Sequence, residues 1–173
     1  MHIRIVRCPD EGFKPYVMRA VEFFGESLIP NKNMSKNLNI KVKFSNKIKD
    51  FGYAEIDGYN SHNKPRDFIL TVHSNIGARS IIETLAHEMV HIKQFVYCET
   101  NESLSKWLDF KIDSDKIDYW DLPWEIEAYG REAGLLTKFV VKEKLWEVFD
   151  GFKNPDDPIE YTKIKWKKVE KSA

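Results

Sequence analysis

Residues 87–91 read His87-Glu88-Met89-Val90-His91, which is the pattern H-E-x-x-H. On a helix, side chains four positions apart share one face about one turn apart, so both imidazoles can reach a single metal ion. Zinc accepts imidazole nitrogen at about 2.0–2.1 Å and lowers the pKa of a coordinated water toward about 7. Glu88, next to the first histidine, can approach such a water without taking a ligand position. It would remove a proton as the water attacks a carbonyl and later pass that proton to the leaving amine. With five histidines in 173 residues, the pattern arises by chance in about one such chain in a hundred, so its context matters. Here Met89 and Val90, between the histidines, are apolar, which suits a buried helix better than a surface helix with two incidental histidines.

A catalytic zinc usually takes three protein ligands and keeps a fourth position open. The histidines are His2, His62, His73, His87 and His91, and none follows His91. The third ligand is therefore expected to be a carboxylate. Cys98 is the other candidate, but seven residues along a helix is about 10 Å from His91, too far for the same ion unless the chain folds back. Downstream, Pro123-Trp124-Glu125-Ile126-Glu127-Ala128-Tyr129 opens a second helix. Glu125 and Glu127 are two apart and point in different directions. Glu125 shares its face with Ala128, Tyr129 and Glu132, and the small Ala128 permits close helix approach. Glu125 is the preferred ligand and Glu127 the alternative.

The rest of the chain must position these groups. Residues 2–7 read as a short strand, and 15–28 as a helix with Pro15 in its first turn and Pro30 at its end. Residues 38–44 alternate strictly between apolar and polar, as a half-buried strand does. Residues 52–57 and 67–73 fit two more strands. Ser74 or Asn75 is placed to cap a helix over 76–97, whose Ile81, Ile82, Leu85, Met89, Ile92 and Val96 recur at threes and fours. Residues 99–123 are polar, with Trp107, Leu108, Phe110, Ile112 and Ile117 as scattered anchors. A long helix follows over 124–149, ended by Gly151. The five tryptophans read as core and interhelix anchors. Residues 161–169 alternate as a lysine-rich terminal edge strand. Strands followed by two long helices predict an α+β class, in one domain over residues 1–173.

Composition narrows the partners. Lys+Arg and Asp+Glu are both 27, for a formal net charge of zero, which argues against a strongly basic nucleic-acid binder. No apolar run reaches the ~18–20 residues a membrane span needs, and the first residues do not resemble a secretory signal. Two cysteines cannot build a disulfide framework. A cytoplasmic location is the expectation. The neutral total hides segregation, with residues 1–71 at net +4 and residues 99–127 at net −6. The acidic stretch lies between the two metal-bearing segments, where it would either border the cleft and favour cationic substrates or be cancelled by the basic N-terminal part packed beside it.

His87-Glu88-Met89-Val90-His91, followed by Glu125-Ile126-Glu127-Ala128, resembles the gluzincin group of zinc metallopeptidases over residues 67–132, and in particular small phage and bacterial members. The resemblance implies a minimal zincin-like fold with a small mixed or antiparallel sheet. It also implies one zinc ion on His87, His91 and Glu125, with Glu88 as general base. In that group the strand before the active-site helix often binds an extended substrate along its edge, here residues 67–73. An oxyanion stabiliser is expected beside the metal. Tyr129 and His73 are the candidates, although Tyr129 also reads as helix packing and His73 more simply as a strand-end residue. Lys93 stands where the family's extended motif has an apolar residue. Tyr129 stands where the Glu-x-x-x-Asp form has aspartate, which leaves the first histidine without an assigned partner. The implied activity is peptide-bond hydrolysis on a peptide or protein substrate. The alternatives are hydrolysis of a non-peptide amide and a metal-stabilised binding module without catalysis.

Overall fold

The computed structural model describes residues 1–147, so the sequence expectations for Gly151 and the 161–169 strand lie outside the described residues. The fold is α+β, as expected. Four strands, β1 (His2–Val6), β2 (Asn39–Ser45), β3 (Gly52–Tyr59) and β4 (Pro65–His73), form a mixed sheet in the order β1-β2-β4-β3. β1, β2 and β4 run parallel, while β3 lies antiparallel on the edge beside β4. Which strand lies at the edge is not fixed by the sequence, and the pairing shows that residues 67–73 do not offer a free one. β4 is hydrogen-bonded on both sides, and the edge nearest the following helix belongs to β3.

The alternation seen in the sequence becomes the sheet's inner face. Ile40, Val42 and Phe44 of β2 pair in register with Phe68, Leu70 and Val72 of β4, and all six are buried. Period-2 alternation puts every second side chain on that face. Helix α1 (Lys14–Leu28) buries Val17, Ala20, Val21, Phe24 and Leu28 in the same cluster. A short helix α2 (Lys32–Lys36) follows, with the Asn31 side chain accepting from the backbone N–H groups of Asn33 and Met34.

Helix α3 (Ala78–Val96) carries the H-E-x-x-H residues. Its six periodic apolar residues are all buried, as their spacing predicts. Its cap is not Ser74 or Asn75 but Gly77, which makes no side-chain cap bond. The Ser74 hydroxyl turns to Asn75 and the Ser74 backbone N–H bonds Ser45, so this segment finishes the strand instead of starting the helix.

Between the helices, a small hairpin of β5 (Lys106–Trp107) and β6 (Phe110–Lys111) and two 3-10 turns occupy the polar stretch. Leu108 and Phe110, read as anchors, are exposed at the hairpin. Helix α4 (Pro123–Glu143) starts at Pro123 and ends with Lys144 in a left-handed conformation, φ 56°. The long-helix expectation therefore overruns by several residues, because lysine adopted the terminating geometry usually given to glycine. Phe24 of α1 meets Phe139 of α4 at 5.6 Å between ring centroids. The Arg19 guanidinium donates to Glu143 at 2.7 Å. These contacts fix α4 against α1 while its first turns face α3. Among the tryptophans, Trp124 is buried and Trp146 packs on the core, but Trp120 is exposed.

Candidate metal centre

α3 and α4 bring three side chains together. His87 and His91 come from successive turns of α3, and Glu125 from the first turn of α4. The two Nε2 atoms are 3.2 Å apart. Glu125 Oε2 lies 3.3 Å from His87 Nε2, and Oε1 lies 3.6 Å from His91 Nε2. The edge of a tetrahedron with ~2.0–2.1 Å metal–ligand bonds is about 3.3 Å, so this spacing suits one small ion. His87 and Glu125 are each only 8% exposed. Ala128, fully buried, is the small residue that lets the helices approach. Glu125 is thus in the place expected of it.

The second nitrogen of each imidazole is held. His87 Nδ1 is 2.8 Å from Glu132 Oε2, and His91 Nδ1 is 2.9 Å from Gln94 Oε1. Both partners accept, so each Nδ1 carries the proton and each Nε2 presents its lone pair toward Glu125. Two lone pairs and a carboxylate converging in a buried place require positive charge. In the metal-free protein a proton supplies it. Burial lowers the His87 pKa, but bonds to Glu125 and Glu132 outweigh burial and raise it to about 9. Burial dominates at His91 and lowers its pKa. The pair therefore holds one proton beyond the two on Nδ1, and His87 carries it. At Glu125 burial opposes ionisation, yet the histidines and Tyr119 hold its carboxyl below the ordinary range.

Glu88 faces the same space. It is 6% exposed, and the Ala54 backbone N–H on edge strand β3 donates to it. Burial pushes its pKa up to about 7, with His87 acting in the opposite direction. Gly52 makes the close approach of β3 possible. A Cβ there would fall 2.5 Å from Thr84 Cγ2 and 2.9 Å from the Thr71 carbonyl, with Glu88 Cγ at 3.6 Å.

The alternative ligand, Glu127, points away. Its carboxylate accepts from Lys93 at 2.7 Å, Arg131 at 2.8 Å and Gln94 at 3.1 Å. Burial works against its ionisation, but the hydrogen bonds from Lys93 and Gln94 and the charges of Lys93 and Arg131 hold its pKa down. Lys93 is buried between Glu127 and Glu99, each at 2.7 Å, so its unexpected charge ties the end of α3 to the start of α4. Gln94, with no exposure, also donates to the Trp124 carbonyl at 2.9 Å. Glu127 thus helps to orient His91 through Gln94.

Tyr129 lines the site, with its ring 4.5 Å from that of His87 in an edge arrangement. His73 does not reach it. Its Nδ1 accepts from the Asn75 backbone N–H, and it does not line the cavity. Cys98 is also elsewhere, its sulfur 3.6 Å from Lys64 Nζ. The acidic stretch reaches the cavity through Glu125 alone; its other lining residues there, Leu104, Tyr119, Trp120 and Trp124, carry no charge.

The sequence reading missed Tyr119, whose hydroxyl donates to Glu125 Oε2 at 2.9 Å with the Tyr129 hydroxyl beside it. No spacing rule connects a loop tyrosine to a helix six residues later. It also left Glu132 and Gln94 without roles, although signals existed. Glu132 is seven residues from Glu125, two turns along one face, and Gln94 is three from His91. The whole site opens into a cavity of about 760 Å³. No family model, curated protein or solved structure matches the chain.

Proposed function

We propose that this chain is a zinc-dependent peptide hydrolase of the gluzincin kind, with His87, His91 and Glu125 as metal ligands and Glu88 as general base. The observation that carries the reading is the convergence of His87, His91 and Glu125 at tetrahedral spacing beside a buried Glu88, at the head of an open cavity. Among the described residues no fourth histidine, cysteine or carboxylate joins this group, as a site that admits substrate requires. Two nitrogens and one carboxylate oxygen are a donor set suited to zinc. The ion, when bound, would polarise the substrate carbonyl and acidify water.

The chain's own residues do the remainder. Glu88, poised near neutrality by burial, accepts a proton from the attacking water and returns it to the amine that leaves. Glu132 and Gln94 keep the imidazoles in the ligating tautomer. The Tyr129 hydroxyl, at the cavity wall, is the group available to donate to the carbonyl oxygen as it gains charge. Tyr119 holds Glu125 in position.

Glu88→Gln tests this reading. It preserves shape and metal ligands while removing the base. Zinc content should stay at one equivalent, and cleavage of a diverse peptide library should fall at least about a hundredfold. Wild-type protein loaded with zinc that cleaves no peptide would refute it.

A further inference from the structure

The cavity wall has a composition that metal binding and proton transfer do not account for. Among the described residues, Asp50, Glu83, Glu88, Glu125 and Glu132 line it, against the one amine of Lys49 and the two histidines. A divalent ion offsets only part of this, so the described lining residues remain net anionic with the ion bound. Asp50 and Glu83 are neither metal ligands nor hydrogen-bond partners of the ligands, although the charge of Asp50 reaches Glu88 and helps to raise its pKa. Among the described residues neither makes an ion pair or a side-chain hydrogen bond. Asp50 precedes β3, and Glu83 lies one turn before His87 on α3, and both line the cavity.

A second, independent feature is aromatic. Phe51 is 66% exposed and Trp120 64%, and both line the same cavity along with Tyr53, Tyr119 and Tyr129. Trp120 packs on Tyr129 at 5.0 Å and on Tyr119 at 5.3 Å, which holds these rings as a platform beside the metal ligands. Exposed apolar side chains are common singly, but a contiguous group of them lining a cleft marks a binding surface. Aromatic faces attract ammonium and guanidinium groups, most strongly from tryptophan. Carboxylates without a partner among the described residues, and exposed rings around the same cleft, thus favour one ligand chemistry, a long side chain ending in a cation.

We infer that the cleft selects lysine- and arginine-rich peptide segments, with Asp50 and Glu83 as specificity residues and Trp120 as the surface on which a basic side chain lies. This deepens the hydrolase reading by naming its substrate class, and it rests on that reading for the claim that the cleft receives a peptide.

Binding to the full-length Glu88→Gln protein, zinc-loaded, separates the two claims because no turnover is needed. Fluorescence anisotropy would compare labelled peptides identical except for Lys/Arg, Gln or Glu at the variable positions. The basic peptide should bind at least about tenfold tighter than the acidic one at low salt, and this preference should shrink as salt rises. Asp50→Asn with Glu83→Gln should reduce the preference by up to about fivefold per carboxylate while leaving zinc affinity unchanged. Trp120→Ala should weaken the arginine peptide and spare the glutamine peptide. Equal affinity for basic and acidic peptides, or a preference untouched by the double substitution, would overturn the inference. If wild-type protein cleaves nothing while Glu88→Gln still prefers basic peptides, the hydrolase reading fails and the selectivity stands.

Discussion

Glu132 offers the most direct test of how the metal centre is built. Its carboxylate is 2.8 Å from His87 Nδ1, and the two side chains are 20% and 11% exposed, so solvent screens the bond only in part. It performs two tasks. It fixes the tautomer that leaves Nε2 free for a metal, and it raises the basicity of that nitrogen. Loss of such a partner costs about 10–100-fold in metal affinity, or roughly 1.4–2.7 kcal/mol. Glu132→Ala should therefore weaken zinc binding within that range. Glu132→Gln retains an acceptor but no charge, and should fall nearer the lower bound. In metal-free protein both substitutions should lower the His87 pKa from about 9, because Glu132 is one of the groups that raise it. Competition against a chromophoric chelator would give the affinity, and histidine NMR titration the pKa. Circular dichroism would confirm that the helices persist. Unchanged zinc affinity in folded Glu132→Ala would refute the argument that this bond organises the site.

Glu125→Ala should abolish tight zinc binding, whereas Glu127→Ala should reduce it only modestly through Gln94 and should lower thermal stability by loosening Lys93; the reverse ranking in chelator titrations would reject Glu125 as ligand. Metal-free protein should lose stability between about pH 6.5 and 9. His87 binds its proton more tightly folded than unfolded, so its contribution is complete below about 6.5 and is lost as pH passes 9. Glu88 adds a loss of the same sign between about 4.5 and 7. Zinc competes with the His87 proton, so the melting-temperature gain on adding zinc should grow over the upper window; a gain flat with pH would contradict this. Gly52→Ala should destabilise by about 1–3 kcal/mol in denaturant unfolding, because its Cβ meets backbone and Thr84; an unchanged midpoint would show that β3 can withdraw freely.

Much of the site was legible because helical periodicity is local. The shared face of His87 and His91, four positions apart, and that of Glu125, Ala128, Tyr129 and Glu132 follow from a 3.6-residue turn alone. The choice of Glu125 over Glu127 came from the same geometry. The inner sheet face was equally legible, since Ile40, Val42 and Phe44 alternate in the sequence. Element ends were less so. Gly77 displaced Ser74 and Asn75 as the cap because strand contacts claimed that segment first, and Lys144 ended α4 where no glycine announced it.

What the chain determined by itself is the donor set: which side chains share a helical face, and which faces are apolar. Only the tertiary structure decided which edge borders the cleft, since strand order depends on pairing between distant segments, and β4 became interior when β3 folded back beside it. Only packing brought the Tyr119 hydroxyl to Glu125, turned His73 to a backbone amide, and gave the buried Lys93 two carboxylates. The anionic character of the cleft changed its origin in the same way. It arises from Asp50, Glu83, Glu88 and Glu132 as well as Glu125, drawn from three parts of the chain, because a field in space sums charges by distance and not by order along the sequence.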